Sequence, residues 1–174
     1  MTHGLNLKVA VVTGAGSGIG RRTALAFLEE GYAVTLVGRR REPLETTAAD
    51  ACAAASRALV VPADVGDPGA VRSLFSKTRE NFGRVDVLFN NAGIFGPSGP
   101  FEDIPIGNTA TDMVKAILQD GAGATQADGS RAVEPTLDLD HVARAVIHMA
   151  SLPLEANIQF MTIMATTMPF IGRG

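Results

Sequence analysis

The stretch Lys8–Gly20, KVAVVTGAGSGIG, constrains this chain more than any other. A short apolar run, Val9 to Val12, leads into a glycine-rich turn, and helix-compatible sequence follows from Arg21 to Glu30. Strand, glycine turn and helix in this order open a dinucleotide-binding βαβ unit. Backbone N–H groups at the start of a helix lack intrahelical partners, and the helix dipole is positive there. A pyrophosphate satisfies both if the backbone can approach it closely. Gly14, Gly16, Gly18 and Gly20 carry no Cβ to obstruct that approach. The spacing is not G-x-G-x-x-G, because position 19 is Ile; what fits is Thr13-Gly14-x-x-x-Gly18-Ile19-Gly20.

At 174 residues the chain suits one domain with a substantial core. Hydrophobic residues make up 46% and charged residues 19%, as in globular proteins. The net charge of −3 argues against a nucleic-acid partner. No apolar run approaches the roughly 18 residues of a membrane span. The N-terminal MTHGLNLK has no apolar leader region. A single cysteine, Cys52, excludes an internal disulfide framework and points to a reducing, cytoplasmic setting. Cys52 sits in an alanine-rich helical stretch, which suits a small packed residue better than a nucleophile.

The elements follow in order. Strand one is expected over 8–12, and a helix over 18–30 turns Ile19, Leu25, Ala26 and Leu28 to a sheet, with Gly31 as its C-cap. Ala33–Val37 reads as a buried parallel strand. Arg39 and Arg40 come next. An acidic residue about 20 positions after the glycine turn would bind a ribose 2′-hydroxyl, whereas Arg accommodates a 2′-phosphate. The chain has no acid there until Glu42, which favours NADP(H) over NAD(H). A solvated basic turn is the plain alternative. A helix over Pro43–Ser56, with Pro43 near its first position, precedes a strand over 58–61. Asp64-Val65 follows, where Asp64 also suits a turn. Asp67-Pro68 starts a helix with Val71, Leu74, Phe75 and Phe82 inward, ended by Gly83. Strand four is expected over 85–89, leading into Asn90-Asn91-Ala92-Gly93. That turn lies beyond a strand's carboxyl end, where open parallel sheets bind ligands.

Taken together and in order, these turns resemble the short-chain dehydrogenase/reductase family over residues 7–104. The resemblance implies a three-layer, Rossmann-like α/β fold and a nicotinamide dinucleotide partner. It implies cofactor contacts at Gly14, Ser17, Gly18, Ile19, Gly20, Arg39, Arg40, Asp64, Val65, Asn91, Ala92 and Gly93, with Asp64 against the adenine.

The pattern then breaks. The family's chemistry uses a Ser, an Asn on the helix after strand four, and a Tyr-x-x-x-Lys pair. Its Tyr is the general acid/base, and the Lys one helical turn on lowers the Tyr pKa. The one tyrosine here is Tyr32, and position 36 is Leu. Tyr32 reads as a packing residue at a strand entrance. Ser98 and Ser130 sit in Gly/Pro- and Gly-rich loops and fit the family's Ser poorly. Phe101–Pro105 resembles the segment before the helix after strand four. Ile106–Met113 instead resembles the stretch after strand six, Pro-Gly-x-x-x-Thr-x-Met, with Gly107, Thr111 and Met113 matching and Ile106 in place of Pro. The resemblance thus implies an internal deletion that removes the catalytic segment, leaving no catalytic residue. Thr111 would hold the nicotinamide amide.

The rest is expected to be a helix over 111–119, a loop over 120–136, a helix capped by Asp138 with Val142, Ala145, Val146 and Met149 on one face, and a last strand over 158–164. His141 and His148 share a helix face without further ligands, so no metal site is expected. Residues 1–105 would form the cofactor half and 106–174 a C-terminal remnant of the same domain. The last strand would dock beside strand four, giving the order 3-2-1-4-7. The function read from this is that of an NADP(H)-binding oxidoreductase relative, catalytically impaired. Two alternatives stand beside it: an interaction module, as a homo-oligomer or with a full-length paralogue, or a defective product.

Overall fold

A computed structural model describes residues 7–93, 124–125, 131–132, 137–153, 155, 156, 158, 161 and 163. The elements are β1 (Val9–Thr13), α1 (Gly18–Glu29), β2 (Ala33–Gly38), α2 (Arg41–Asp50), β3 (Ala58–Pro62), α3 (Pro68–Phe82), β4 (Val87–Phe89), β5 (Ala124–Thr125), β6 (Arg131–Ala132) and α4 (Leu139–Ser151). The main sheet has the order β3-β2-β1-β4, with every pairing parallel. All of β1 and Ala33–Val37 of β2 are buried. Continuous burial without alternation is what a parallel sheet covered on both faces requires.

Side chains alternate between two layers. Ala10, Val12, Val34 and Leu36 pack with Phe27 and Leu28 of α1, Leu44 of α2 and Val146 of α4. Val11, Val37 and Val61 pack on the opposite face with Leu74 of α3. A buried hydroxyl pair, Thr35 and Thr78 at 3.1 Å, joins β2 to α3 within that second layer. Thr78 lies one helical turn after Leu74 and donates back to its carbonyl at 2.9 Å. The three-layer α/β sheet is therefore as expected for strands one to four.

Several boundaries and faces differ from the sequence reading. The α1 contact face is Gly20, Thr23, Ala24, Ala26, Phe27 and Leu28, with Ile19 and Leu25 half-buried. The second helix spans Arg41–Asp50, not 43–56, and Pro43 is its third residue. A 3-10 turn, Cys52–Arg57, then carries the chain back to β3. Cys52 is exposed with φ +50°, so it is not the packed helical residue expected. Strand four starts at Val87, not 85, because the Asp86 carboxylate accepts the Val9 N–H at 2.8 Å in place of a strand carbonyl. The inward face of α4 is Ala143 and Val146 with Ile147 and Ala150 beside them, whereas Met149 is exposed. A two-residue antiparallel ladder, β5 with β6, lies inside the stretch read as loop.

Other expectations hold. Asp67 accepts the Gly69 N–H at 2.8 Å, and Asp138 accepts that of Asp140 at 2.8 Å, each capping its helix. Gly31 and Gly83 follow α1 and α3 at φ +87° and +81°. Tyr32 is a packing residue: its ring meets Phe27 edge-on at 4.9 Å, and its hydroxyl donates to the Ala150 carbonyl at 3.4 Å. Helix α4 is thereby seated on α1, with Arg22 and Asp140 paired across the two helices. The expected helix 111–119 and Thr111 lie outside the described residues, as does most of the expected strand 158–164. Among the described residues, no helix is long and apolar enough to cross a membrane.

Candidate functional site

Because β1 to β4 run parallel, the segments that follow them emerge at one edge of the sheet. Gly14–Ser17 follows β1, Arg39-Arg40 follows β2, Ala63–Val65 follows β3, and Asn90–Gly93 follows β4. Strand order reverses between β1 and β4, since β2 lies on one side of β1 and β4 on the other. Open parallel sheets bind ligands in the crevice at that reversal.

The two turns at the reversal are bonded to each other. Thr13 Oγ1 accepts the N–H of Asn91 and that of Ala92, each at 2.9 Å, and donates to the Phe89 carbonyl at 3.3 Å. The Asn91 side-chain amide donates to the Thr13 carbonyl at 3.1 Å. Gly14 adopts φ +69° and Gly18 φ +52°. A Cβ on Gly20 would stand 2.3 Å from the Gly14 carbonyl oxygen and 2.5 Å from Asn91 Nδ2. No side chain fits there, so the start of α1 approaches both turns as closely as backbone allows.

The start of α1 is electrostatically open. Ser17 is its N-cap in extended conformation, and its hydroxyl makes no capping bond. No acidic residue lies in the first turn to offset the helix dipole. Gly18 and Ile19 are half-exposed, while Gly20 is buried. The turn is held from beneath: the Ala15 N–H donates to the Val37 carbonyl at 3.0 Å, and Thr47 Oγ1 donates to the Ala15 carbonyl at 3.0 Å.

Arg39 and Arg40 are exposed, and Arg40 is the N-cap of α2. Neither makes an ion pair among the described residues, whereas Arg41 pairs with Glu45 one turn on. Asp64 Oδ1 accepts the Gly66 N–H at 2.9 Å, so Asp64 shapes its own turn. Val65 beside it is 43% exposed, an apolar surface left open at this edge. Tyr32 precedes β2 and so lies at the opposite edge of the sheet.

A family model described as short chain dehydrogenase matches residues 8–122. The chain belongs to the short-chain dehydrogenase/reductase family. It is 39% identical over 148 residues to the 2-(R)-hydroxypropyl-CoM dehydrogenase of Xanthobacter autotrophicus, covering 83% of this chain and 56% of that protein. It is 39% identical over 112 residues to the levodione reductase of Leifsonia aquatica, covering 63% of this chain and 40% of the relative. The chain thus spans well under two thirds of these relatives' lengths. Among solved structures, an actinorhodin polyketide ketoreductase with NADPH superposes with a TM-score of 0.51 at 36% identity, covering 57% of this chain and 38% of the other. The 3-ketoacyl-(acyl-carrier-protein) reductase of Brucella melitensis, complexed with NADH, gives 0.50 at 36% identity, covering 56% and 39%.

Sequence reasoning about this family member missed two contributors. Thr13 was part of the motif, but its hydroxyl as the joint between two turns was not foreseen. Thr47 was not singled out at all. A signal existed, since Thr47 falls three residues after Leu44 on the buried stripe of α2. A hydroxyl on such a stripe needs a partner, and here the partner is the glycine turn.

Proposed function

We propose that this chain binds a nicotinamide dinucleotide, NADP(H) in preference to NAD(H), as a member of its family that has lost the proton-transfer pair. One observation carries the reading. The uncapped start of α1 and the two exposed arginines Arg39 and Arg40 stand at the same edge of the sheet, on either side of the turn that Thr47 and Val37 hold. The residues suit the group. The α1 amides and Ser17 would take the pyrophosphate, and Arg39 and Arg40 the 2′-phosphate, whose charge they would neutralise. Asp64 with Val65 would border the adenosine, and Asn91, Ala92 and Gly93 the nicotinamide ribose side.

Bound there, the nicotinamide would supply or accept hydride. The chain's own share is to hold and orient it. Tyr-x-x-x-Lys is absent from the sequence, and the one tyrosine is buried at the far edge of the sheet. Protonation of a carbonyl oxygen as hydride arrives therefore lacks a positioned donor. An internal deletion at 105/106 accounts for this, with 1–105 and 106–174 remaining one domain; the seating of α4 on α1 supports that unity. Turnover of an alcohol or ketone would need the pair from a second chain, such as a full-length paralogue.

The test is a thermal melt with saturating NADPH or NADH, since a ligand that binds only the folded state raises the midpoint. We expect the larger rise with NADPH, and expect Arg39→Ala and Arg40→Ala to remove that difference while leaving the NADH response. Equal responses to the two nucleotides would sink the NADP(H) preference. No response to either would sink the cofactor reading.

A further inference from the structure

Thr47 is fully buried in the second turn of α2. Its hydroxyl lies 2.9 Å from the Pro43 carbonyl and 3.0 Å from the Ala15 carbonyl. Its one hydrogen is shared between these two acceptors; the first contact is ordinary back-bonding by a helical threonine. The second crosses 32 residues of sequence to the glycine turn. Ala15 is itself buried, and its N–H is spent on Val37. Both polar groups of this residue are therefore fixed, one by the end of β2 and the other by α2.

The neighbouring contacts make the fit between helix and turn tight. A Cβ on Gly16 would stand 2.9 Å from Pro43 Cβ, and one on Gly38 would stand 3.3 Å from a Leu44 methyl. Pro43, Leu44 and Thr47 thus seat α2 on the backbone at three points. Thr47 supplies the directional one. Arg40 is the N-cap of the same helix, with Arg39 just before it. Any slide or rotation of α2 moves both arginines relative to the start of α1.

We propose that Thr47 is a positioning residue that fixes the spacing between the anion-binding start of α1 and the Arg39-Arg40 pair. A ligand carrying phosphate groups at both ends of that span, a dinucleotide with a 2′-phosphate, then engages both without rearrangement. The proposal rests on the cofactor reading above and adds a specificity device to it. Two sites joined by one ligand reinforce each other only while geometry permits simultaneous engagement. Loss of the joint therefore weakens the two-site ligand and spares a fragment that uses one site.

The experiment is calorimetric titration of the full chain with NADPH and, separately, with adenosine 2′-monophosphate, which reaches only the arginine side. Thr47→Val removes the hydroxyl, and Thr47→Ser keeps it. The valine variant is expected to bind NADPH about fivefold more weakly or worse, the effect of one buried hydrogen bond. Its affinity for adenosine 2′-monophosphate is expected to stay at the wild-type value, and the serine variant is expected to retain NADPH affinity. Equal losses for both ligands, or unchanged NADPH binding in the valine variant, overturn the proposal. If the valine variant does not fold, the serine variant decides: NADPH affinity retained supports the role of the hydroxyl, and affinity lost overturns it. A wild-type chain that binds neither ligand overturns the cofactor reading itself, before any variant is compared.

Discussion

Asn91 donates twice to Thr13 across the point where strand order reverses. The Asn91 N–H donates to Thr13 Oγ1 at 2.9 Å, and the Asn91 side-chain amide donates to the Thr13 carbonyl at 3.1 Å. The hydroxyl also takes the Ala92 N–H, so one oxygen holds two successive peptide groups in place. That is how β4, only three residues long, delivers its turn in fixed register to the glycine turn. Thr13→Val keeps the shape and leaves both N–H groups without their acceptor. Each orphaned group costs about 1–3 kcal/mol. With Asn91 half-buried and Ala92 exposed, the two together fall at the low end, about 2 kcal/mol; since about 1 kcal/mol moves the midpoint of a chain this size by roughly 2–4 °C, a drop of about 4–8 °C is expected. Thr13→Ser should recover most of it, and a thermal melt of both variants checks this.

Gly20 and Gly31 separate two reasons for glycine. At Gly20 the obstacle is space, since a Cβ would lie 2.3 Å from the Gly14 carbonyl oxygen. At Gly31 there is nothing within 4 Å, and the obstacle is φ +87°. Gly20→Ala must push backbone apart, at a cost of about 3 kcal/mol, and should abolish the nucleotide response. Gly31→Ala should cost about 1 kcal/mol and leave that response intact. Chemical denaturation with and without NADPH distinguishes them. A Gly20→Ala protein with unchanged nucleotide affinity would detach the turn from the site.

Cys52 gives a prediction of the opposite sign. Its φ of +50° is a conformation that side chains resist, and it is exposed just beyond α2. Cys52→Gly should stabilise the chain by about 1 kcal/mol through relief of that strain. The native thiol should react fully with a disulfide reagent without denaturant. A protected thiol would mean that the 3-10 turn is covered.

The first four strands were legible because each is a short run of Val, Leu and Ala between turn signals, and burial on both faces asks for nothing more. The turns that follow them were legible because glycine, paired arginines and a doubled asparagine are costly to place at random. Helix faces were less so. On α1 the surface against the sheet is built from Gly20, Thr23 and Ala24 as much as from Phe27 and Leu28. Close helix–sheet packing selects small residues that a search for large apolar ones passes over. On α4 the apolar stripe is wide enough to be seated two ways, and contact with α1 and Tyr32 decides for Ala143, Val146, Ile147 and Ala150. The joints of the site, Thr13 and Thr47, were illegible for another reason. A threonine says nothing in sequence about which carbonyl 32 or N–H 78 residues away it will meet.

The seating of α4 carries a pH signature. Arg22 on α1 and Asp140 on α4 form an ion pair across 118 residues. The hydrogen bond from the Arg22 guanidinium holds the Asp140 carboxyl below the ordinary carboxylate range, against a smaller opposing effect of burial, with the Arg22 and Arg144 charges adding to it. The same bond raises Arg22. A carboxyl whose folded value lies below its unfolded one, about 3.9, contributes in full above that value and loses the contribution as pH falls through the folded one. The pair should therefore give no slope between about pH 5 and 8 and should loosen α4 only in acid. Both side chains are partly solvated, so salt should weaken it as well. Hydrogen exchange along α4 measures this directly: in the wild type, protection should fall between neutral pH and pH 3. In Asp140→Asn it should be lower at neutral pH and fall less in acid. An Asp140→Asn chain whose α4 keeps wild-type protection at neutral pH would show that Tyr32 and the apolar contacts seat the helix without the ion pair.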